Sequence, residues 1–345
     1  MQARVQKLRL TLLRATPAIM FAVILVLFSA LSPRFLSLQN FANILTQSAY
    51  MAVMSIGMTF VLLIAGVDLS VGAAMYVSAS VLILYFPSLP ILASILVMAA
   101  IGAAFGAINA TFIVRLKVIP FVVTIATLYV GRGLALYLSS TKTILAPATV
   151  LAYGEGSWLG VSYAIWTLAI VFVLALWIER STPFGRYLYA MGADFDGARK
   201  AGIPVWGMSF AVYVLCGMFA GVGGFISLSQ TAAASTFFGY GVEFPVIAAA
   251  VLGGTSLFGG RGSVIGSVFG AVLIQTVQNG LVLLNVNPYL YPLVTSGIIF
   301  VAVLLDSQRT QLLARLTRRL IRSDAADDVS NSAERRRRGA LARVR

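Results

Sequence analysis

The sequence predicts an all-α protein that crosses a membrane about ten times, and three observations carry that reading. Of its 345 residues 59% are hydrophobic, and mean hydropathy is +0.93. Only 10% are charged, against roughly 25% in a soluble domain, so a water-facing surface could not be covered. Apolar blocks long enough to span hydrocarbon as helix recur from residue 17 to about residue 306.

The expected spans are 17–35, 46–66, 69–86, 91–113, 119–139, 161–179, 205–229, 243–259, 263–284 and 289–306, with a short interfacial piece possible within 31–47. The first follows Arg4, Lys7, Arg9 and Arg14 and imitates a signal peptide. It is long, lacks a clean small-x-small cleavage site and is followed by similar runs, so it reads as an uncleaved span. Ten spans put both termini on one side. With the N-terminus cytoplasmic, the segments around Arg115 and Lys117, 180–204, Arg261 and the C-terminal tail are cytoplasmic too. Together with the N-terminal arm they hold every basic residue except Arg34, Arg132 and Lys142, as the positive-inside rule requires. The expected organisation is therefore an arm at 1–16, a transmembrane domain at 17–306 containing a cytoplasmic loop at 180–204, and a tail.

That tail has two parts. In QRTQLLARLTRRLIR, Leu312, Leu313, Leu316 and Leu320 share a helical face among arginines, which suits a helix at 307–322 lying on anionic lipid. Residues 323–345 have no apolar period and read as disordered. The RRRR run at 335–338 is a membrane-surface or solvated segment rather than a nucleic-acid site. The single cysteine, Cys216, permits no disulfide within one chain, and the lack of histidine argues against a zinc site or a histidine triad. No metal or cofactor is expected.

The two halves echo each other. Gly106-Ala107 precedes an apolar run to Pro120, Gly270-Ala271 one to Pro288, and GVD at 66–68 matches GVE at 241–243. In a ten-span topology the matched pieces run in opposite directions, which fits a 5+5 inverted repeat with a pathway between halves; chance likeness of Gly/Ala-rich helices is the alternative.

Five residues mark candidate helix breaks. Gly66, Asp68, Ser70 and Gly72 lie in GVDLSVG, which this topology places at a tight turn between the second and third spans. There Asp68 and Ser70 would cap the next helix; a proton carrier is the other reading. Glu243 is the counterpart in the second half, as a cap or an acid facing substrate or partner. Arg132 either snorkels to headgroups or points inward to a solute. Asn109, Thr124, Gln275, Gln278 and Asn279 add uncharged donors and acceptors, which suit a neutral hydrophilic solute or simply bridge helices.

No energy source is encoded. GxxxxGK[ST] is absent, and the glycine-rich GGTSLFGGRGS at 253–263 lacks its lysine. In the loop at 180–204, Asp194 can cap a short helix ending near Gly202, and Asp196 can pair with Arg199 and Lys200.

Several segments in order, IGMTFVLLIAGVDLSVG, IPFVVTIATLYVGRGLA, TPFGRYLYAMGADFDGARKAGI and IAAAVLGGTSLFGGRGSVIGSVFGA, resemble the permease subunits of ribose-type ATP-binding-cassette sugar importers over nearly all of residues 40–306. The resemblance implies a multi-pass inner-membrane subunit without enzymatic chemistry, paired with a second permease copy or paralogue. It also implies two cytoplasmic ATPase subunits, an extracytoplasmic sugar-binding protein, and alternating access. It makes 194–203 the helix that seats in the ATPase. Members usually carry Gly-x-Asn-x-Ala-Ala there, whereas this chain has Asp194, Asp196 and Gly197. Two rivals stand beside it: a proton-coupled sugar transporter using Asp68 or Glu243, and a branched-chain amino acid permease of related architecture.

Overall fold

The computed structural model describes residues 16–297 and the single positions 300 and 304. The N-terminal arm before residue 16, part of the tenth expected span, the interfacial helix at 307–322 and the tail at 323–345 lie outside the described residues.

The chain opens with α1 (Thr16–Leu31), turns through 32–37, and enters α2 (Leu38–Leu63). Ser37 starts α2 by accepting the Asn40 N–H on its hydroxyl at 3.2 Å, the usual way to satisfy a free amide at a helix start. Seven residues then lack helix before α3 (Val71–Tyr85), which is followed by α4 (Ile91–Ala110), a π-turn at Thr111–Arg115, and α5 (Pro120–Leu138). Pro120 sits in the first turn of α5, where its missing N–H costs no bond.

A small periphery follows. Strand β1 (Ile144–Leu145), helix α6 (Ala148–Glu155) and the hairpin β2 (Ser157–Trp158) and β3 (Val161–Ser162) lead into α7 (Tyr163–Ser181). Two short helices, α8 (Pro183–Ala193) and α9 (Phe195–Lys200), precede α10 (Val205–Thr231). Strand β4 (Ala233–Ala234) pairs antiparallel with β1, Ile144 opposite Ala234. The described part closes with α11 (Glu243–Leu252), α12 (Val264–Leu283), a 3₁₀ turn at Pro288–Leu290 and helix at 291–297.

Among the described residues, six helices are long and apolar enough to cross a membrane: α2, α4 with its π-turn, α5, α7, α10 and α12. They sort by burial. The apolar windows of α2, α10 and α12 are 78%, 78% and 67% buried, against 28%, 22% and 22% for α4, α5 and α7. The first three form the centre and the others turn much of their surface to lipid, which is why helices of both groups read as uniformly apolar.

Glycine lets the centre close. Gly102 of α4 meets the Gly217 carbonyl of α10 and Gly217 meets the Gly102 carbonyl, while Gly106 meets the Tyr213 carbonyl and Gly221 meets that of Met98. Two reciprocal small-xxx-small faces therefore bring backbone against backbone, the packing a bilayer favours when no hydrophobic force separates helix from lipid.

The third and eighth expected spans differ from expectation. Helix α3 has 15 residues and α11 has 10, about 22 and 15 Å at 1.5 Å per residue, so neither alone crosses about 30 Å of hydrocarbon. Helix α11 stops at Leu252, not 259, because Gly253 is followed by Gly254 at φ +92°. The second helix begins at Leu38 rather than 46, since Ser37 caps it there.

Candidate translocation site

The break between α2 and α3 is a return into the bundle, not a tight turn at its edge, and this corrects the expected position of Asp68. Leu63 ends α2 beside the loops that follow α8 and α11: its carbonyl accepts the Gly260 N–H at 2.9 Å, and Gly192 packs against it. Residues 64–70 then turn back. Asp68, fully buried, comes to lie beside Tyr213 and Cys216 of α10. Those residues are 8 and 11 positions into α10, about 12 and 17 Å from its start. Residues 64–66 close a turn on the Val61 and Leu62 carbonyls, and 67–69, without regular structure, carry the chain back. Gly66 is required on this path because a methyl there would sit 2.7 Å from the Tyr213 hydroxyl.

Asp68 does not cap α3 in the expected manner. Its Oδ1 accepts the backbone N–H of Ser70 at 2.9 Å and the Ser70 hydroxyl at 2.6 Å, while Ser70 itself makes no side-chain cap. Asn109 of α4 donates to Ser70 Oγ at 2.8 Å and more weakly to Asp68 Oδ1 at 3.4 Å. Thr127 of α5 donates to Asn109 Oδ1 at 2.7 Å. One polar chain thus ties the break to two further helices. It contains no cation; among the described residues the only ion pair is the exposed Asp196–Arg199 contact. Among the described residues, Asp68 Oδ2 and the Tyr213 hydroxyl have no hydrogen-bond partner.

The second acid stands at the start of the other short helix. Glu243 opens α11 and is buried. Its Oε2 lies 2.8 Å from where a Gly72 methyl would be, and Gly72 also packs on the Gly239 carbonyl. The beginnings of α3 and α11 therefore meet. Two half-length helices pointing their positive ends at one region, each with its own carboxylate, form the centre of the site.

Arg132 points inward. Its guanidinium donates to the carbonyls of Phe238 at 3.1 Å and Thr236 at 3.0 Å, and it lies over the rings of Tyr76 and Tyr240 at 5.5 and 4.7 Å. It holds the segment that descends from β4 to α11. Arg132→Lys is expected to loosen that segment, since one ammonium cannot span two carbonyls with a planar fork. Faster hydrogen exchange at 235–242 with unchanged exchange in α2 is the expected readout; unchanged exchange throughout would contradict it.

The remaining polar residues fall into separate groups. Gln275 donates to Gln47 Oε1 at 2.9 Å, and Asn279 accepts from Asn40 at 2.9 Å, so both stitch α12 to α2. Gln278 is half-buried on the same helix. The Thr124 hydroxyl donates to the Pro120 carbonyl of its own helix at 3.0 Å. Only Gly66, Asp68, Ser70 and Asn109 gather at the break, with Gly72, Glu243 and Arg132 at the half-helix junction. Among the described residues no cluster of three His, Cys, Asp or Glu side chains could hold a metal.

At the far end of the bundle, Asp194 caps α9 by accepting the Gly197 N–H at 3.0 Å. Asp196 reaches Arg199 at 3.6 Å, Lys200 ends the helix, and Gly202 at φ +86° reverses the chain. Sequence reasoning missed a neighbouring node. Glu179, almost fully buried, accepts from Tyr189 of α8 at 2.6 Å and from the Val264 N–H at 3.2 Å. Burial and the adjacent Glu179 raise the Tyr189 phenol above its ordinary range. The node joins α7, α8 and the start of α12. Thr127, Tyr213, Asn40 and Gln47 were also missed.

Fold and site define a multi-pass helical membrane protein built around a pair of helix interruptions. The chain belongs to the family described as branched-chain amino acid transport system / permease component, whose model matches residues 40–304; it is a transport component of the inner membrane. It is similar to the ribose import permease protein RbsC of Escherichia coli K12, with 36% identity over 296 residues, 83% of this chain and 91% of that protein. RbsC of Bacillus subtilis 168 is 38% identical over 294 residues, 84% and 91% of the two chains. The D-allose transport system permease protein AlsC of E. coli K12 is 33% identical over 290 residues, 83% and 89%. No solved structure matches the chain.

Proposed function

We propose that this chain is the membrane-spanning subunit of an ATP-driven importer that moves a monosaccharide across the inner membrane by alternating access. The observation that carries the reading is the similarity over more than four fifths of the chain to permeases named for ribose, allose and arabinose. The site supports it, because its side chains offer hydroxyls, amides and carboxyls suited to a polyol. An amino acid is the second reading, favoured by the description of the matching family.

The proposed assembly adds two ATPase subunits on the cytoplasmic face, a sugar-binding protein outside, and a second permease copy or paralogue. Helices α8 and α9 are the proposed ATPase seat, with Asp194, Asp196, Arg199, Lys200 and Gly202 shaping the seated helix. The ten-span count with both termini cytoplasmic is part of the proposal, and α3 and α11 are then its interrupted members. A 5+5 inverted repeat is supported by two runs of long helix, break, short helix and long helix (α2 to α4, and α10 to α12). Gly57 of α2 meets Cys216 of α10, while Gly223 of α10 meets Tyr50 and Met54 of α2, so the two long helices that open the runs head in opposite directions. Asn109, Thr124, Arg132, Gln275, Gln278 and Asn279 are proposed along the solute path, and Gly66, Asp68, Ser70, Gly72 and Glu243 at the hinge that gates it.

The test is co-purification of the full chain from its native membrane, followed by solute binding to its extracytoplasmic partner. Recovery of an ATPase and of a partner that binds a monosaccharide is the expected result. A partner that binds leucine or valine and no sugar would replace the sugar reading with the second one, and recovery of neither protein would remove both.

A further inference from the structure

A pocket of about 490 Å³ opens where α4 ends and α10 begins, lined by Val114, Arg115, Lys117, Arg199, Trp206, Gly207 and Phe210. Among the described residues three cations and no acid line it; the exposed Asp196 pairs with Arg199 at 3.6 Å. The backbone here departs from regular helix. Thr111–Arg115 form a π-turn, closed by Leu116 N–H to the Thr111 carbonyl at 3.4 Å and followed by Val118 N–H to the Phe112 carbonyl at 3.2 Å, and Lys117 is left-handed at φ +55°. π-turns gather at functional sites, and a left-handed non-glycine residue is unfavourable unless its surroundings impose it. The result sets the Lys117 ammonium 5.9 Å from the Trp206 ring centre, and Phe195 packs against that ring edge-on at 5.6 Å.

The surroundings identify the occupant. Beside the cations the same segment exposes Phe112, Leu116, Val118, Ile119 and Phe121. A soluble anion would need none of this apolar surface, whereas a lipid would lay its chains along it with its head among the cations. Tryptophan at that level is typical of the membrane boundary, and basic pockets between helices on the cytoplasmic side suit anionic headgroups.

We propose that Arg115, Lys117, Arg199 and Trp206 form a binding site for the phosphate-bearing headgroup of an anionic phospholipid. Arg199 belongs also to the helix proposed to seat in the ATPase, so the headgroup site adjoins that seat; the inference rests on the bilayer reading and stands whether or not the solute is a sugar.

The test uses the full chain, purified in a neutral detergent, titrated with phosphatidylglycerol or phosphatidylcholine and followed by native mass spectrometry. Each cation near an anionic headgroup gives roughly a five-fold preference, so wild type should retain phosphatidylglycerol about a hundredfold better. R115Q/K117Q/R199Q should lose that preference, and K142Q should keep it. Gly207→Leu is a second test that leaves the charges in place: a Cβ there meets nothing within 4 Å, so the side chain has open space to enter the pocket, should leave the fold intact and should lower retention about ten-fold. Equal retention by wild type and both pocket variants would overturn the proposal. Displacement of the lipid by millimolar inorganic phosphate would assign the site to a free anion instead. Loss of the co-purified ATPase by R115Q/K117Q, which leaves the seated helix unchanged, with the lipid kept, would reassign it to a protein interface.

Discussion

Gly217→Leu is expected to leave little folded protein in the membrane. A side chain there would run into the Gly102 carbonyl and come 2.9 Å from the Gly106 nitrogen, both backbone. Overpacking costs about 1–3 kcal/mol when neighbouring side chains can yield; backbone in a helix yields only if the whole helix moves. Helix α4 would be pushed off α10, breaking its contacts with the most central helix and opening a gap for lipid. The measurement is thermal unfolding of detergent-solubilised protein, with yield as a second readout. Gly133→Leu is the matched control, since nothing lies within 4 Å of a Cβ there, and it should behave as wild type. Equal stability of the two variants would mean that the small-residue faces do not set the approach of these helices.

The second large effect is at Asp68, where Ala and Asn should separate sharply. Alanine leaves the Ser70 N–H and hydroxyl without their acceptor inside the bundle. A buried donor left unpaired costs about 1–3 kcal/mol, so the pair amounts to about 2–6 kcal/mol before relaxation. Asparagine keeps a carbonyl oxygen at the same place and can accept both bonds. Asp68→Ala should therefore unfold at a markedly lower temperature, while Asp68→Asn stays close to wild type and retains ATP-dependent uptake within a few-fold. Complete loss of uptake in the Asn variant with its stability intact would point to a titrating carboxyl, and thus to proton coupling.

What the sequence made legible follows from what hydropathy can see. Full-length apolar helices such as α5 and α10 stand out because every residue contributes to one signal. The short lengths of α3 and α11 do not: apolar residues run up to α3 from the end of the preceding helix, and Gly254 at φ +92° stops α11 without changing the hydropathy. The return path that carries Asp68 into the bundle is tertiary, held by Tyr213, Asn109 and Thr127 from three distant helices. The paired motifs GVD and GVE could be seen as strings, but not that Gly72 would touch Glu243. Thr127 resembles any threonine bonding to its own helix, and Glu179 beside Arg180 resembles an ordinary loop boundary, so neither announced its partners. Arg132 was visible as an oddity, yet its two readings separated only when Thr236 and Phe238 were seen to offer their carbonyls.

The most direct measurement is solute accumulation in sealed vesicles containing this chain, with and without its ATPase partner, the binding protein being supplied outside. Uptake against a gradient should require the ATPase and hydrolysable ATP on its side of the membrane, and a proton gradient alone should yield none. Accumulation by the chain without the ATPase, driven by protons, would contradict the account.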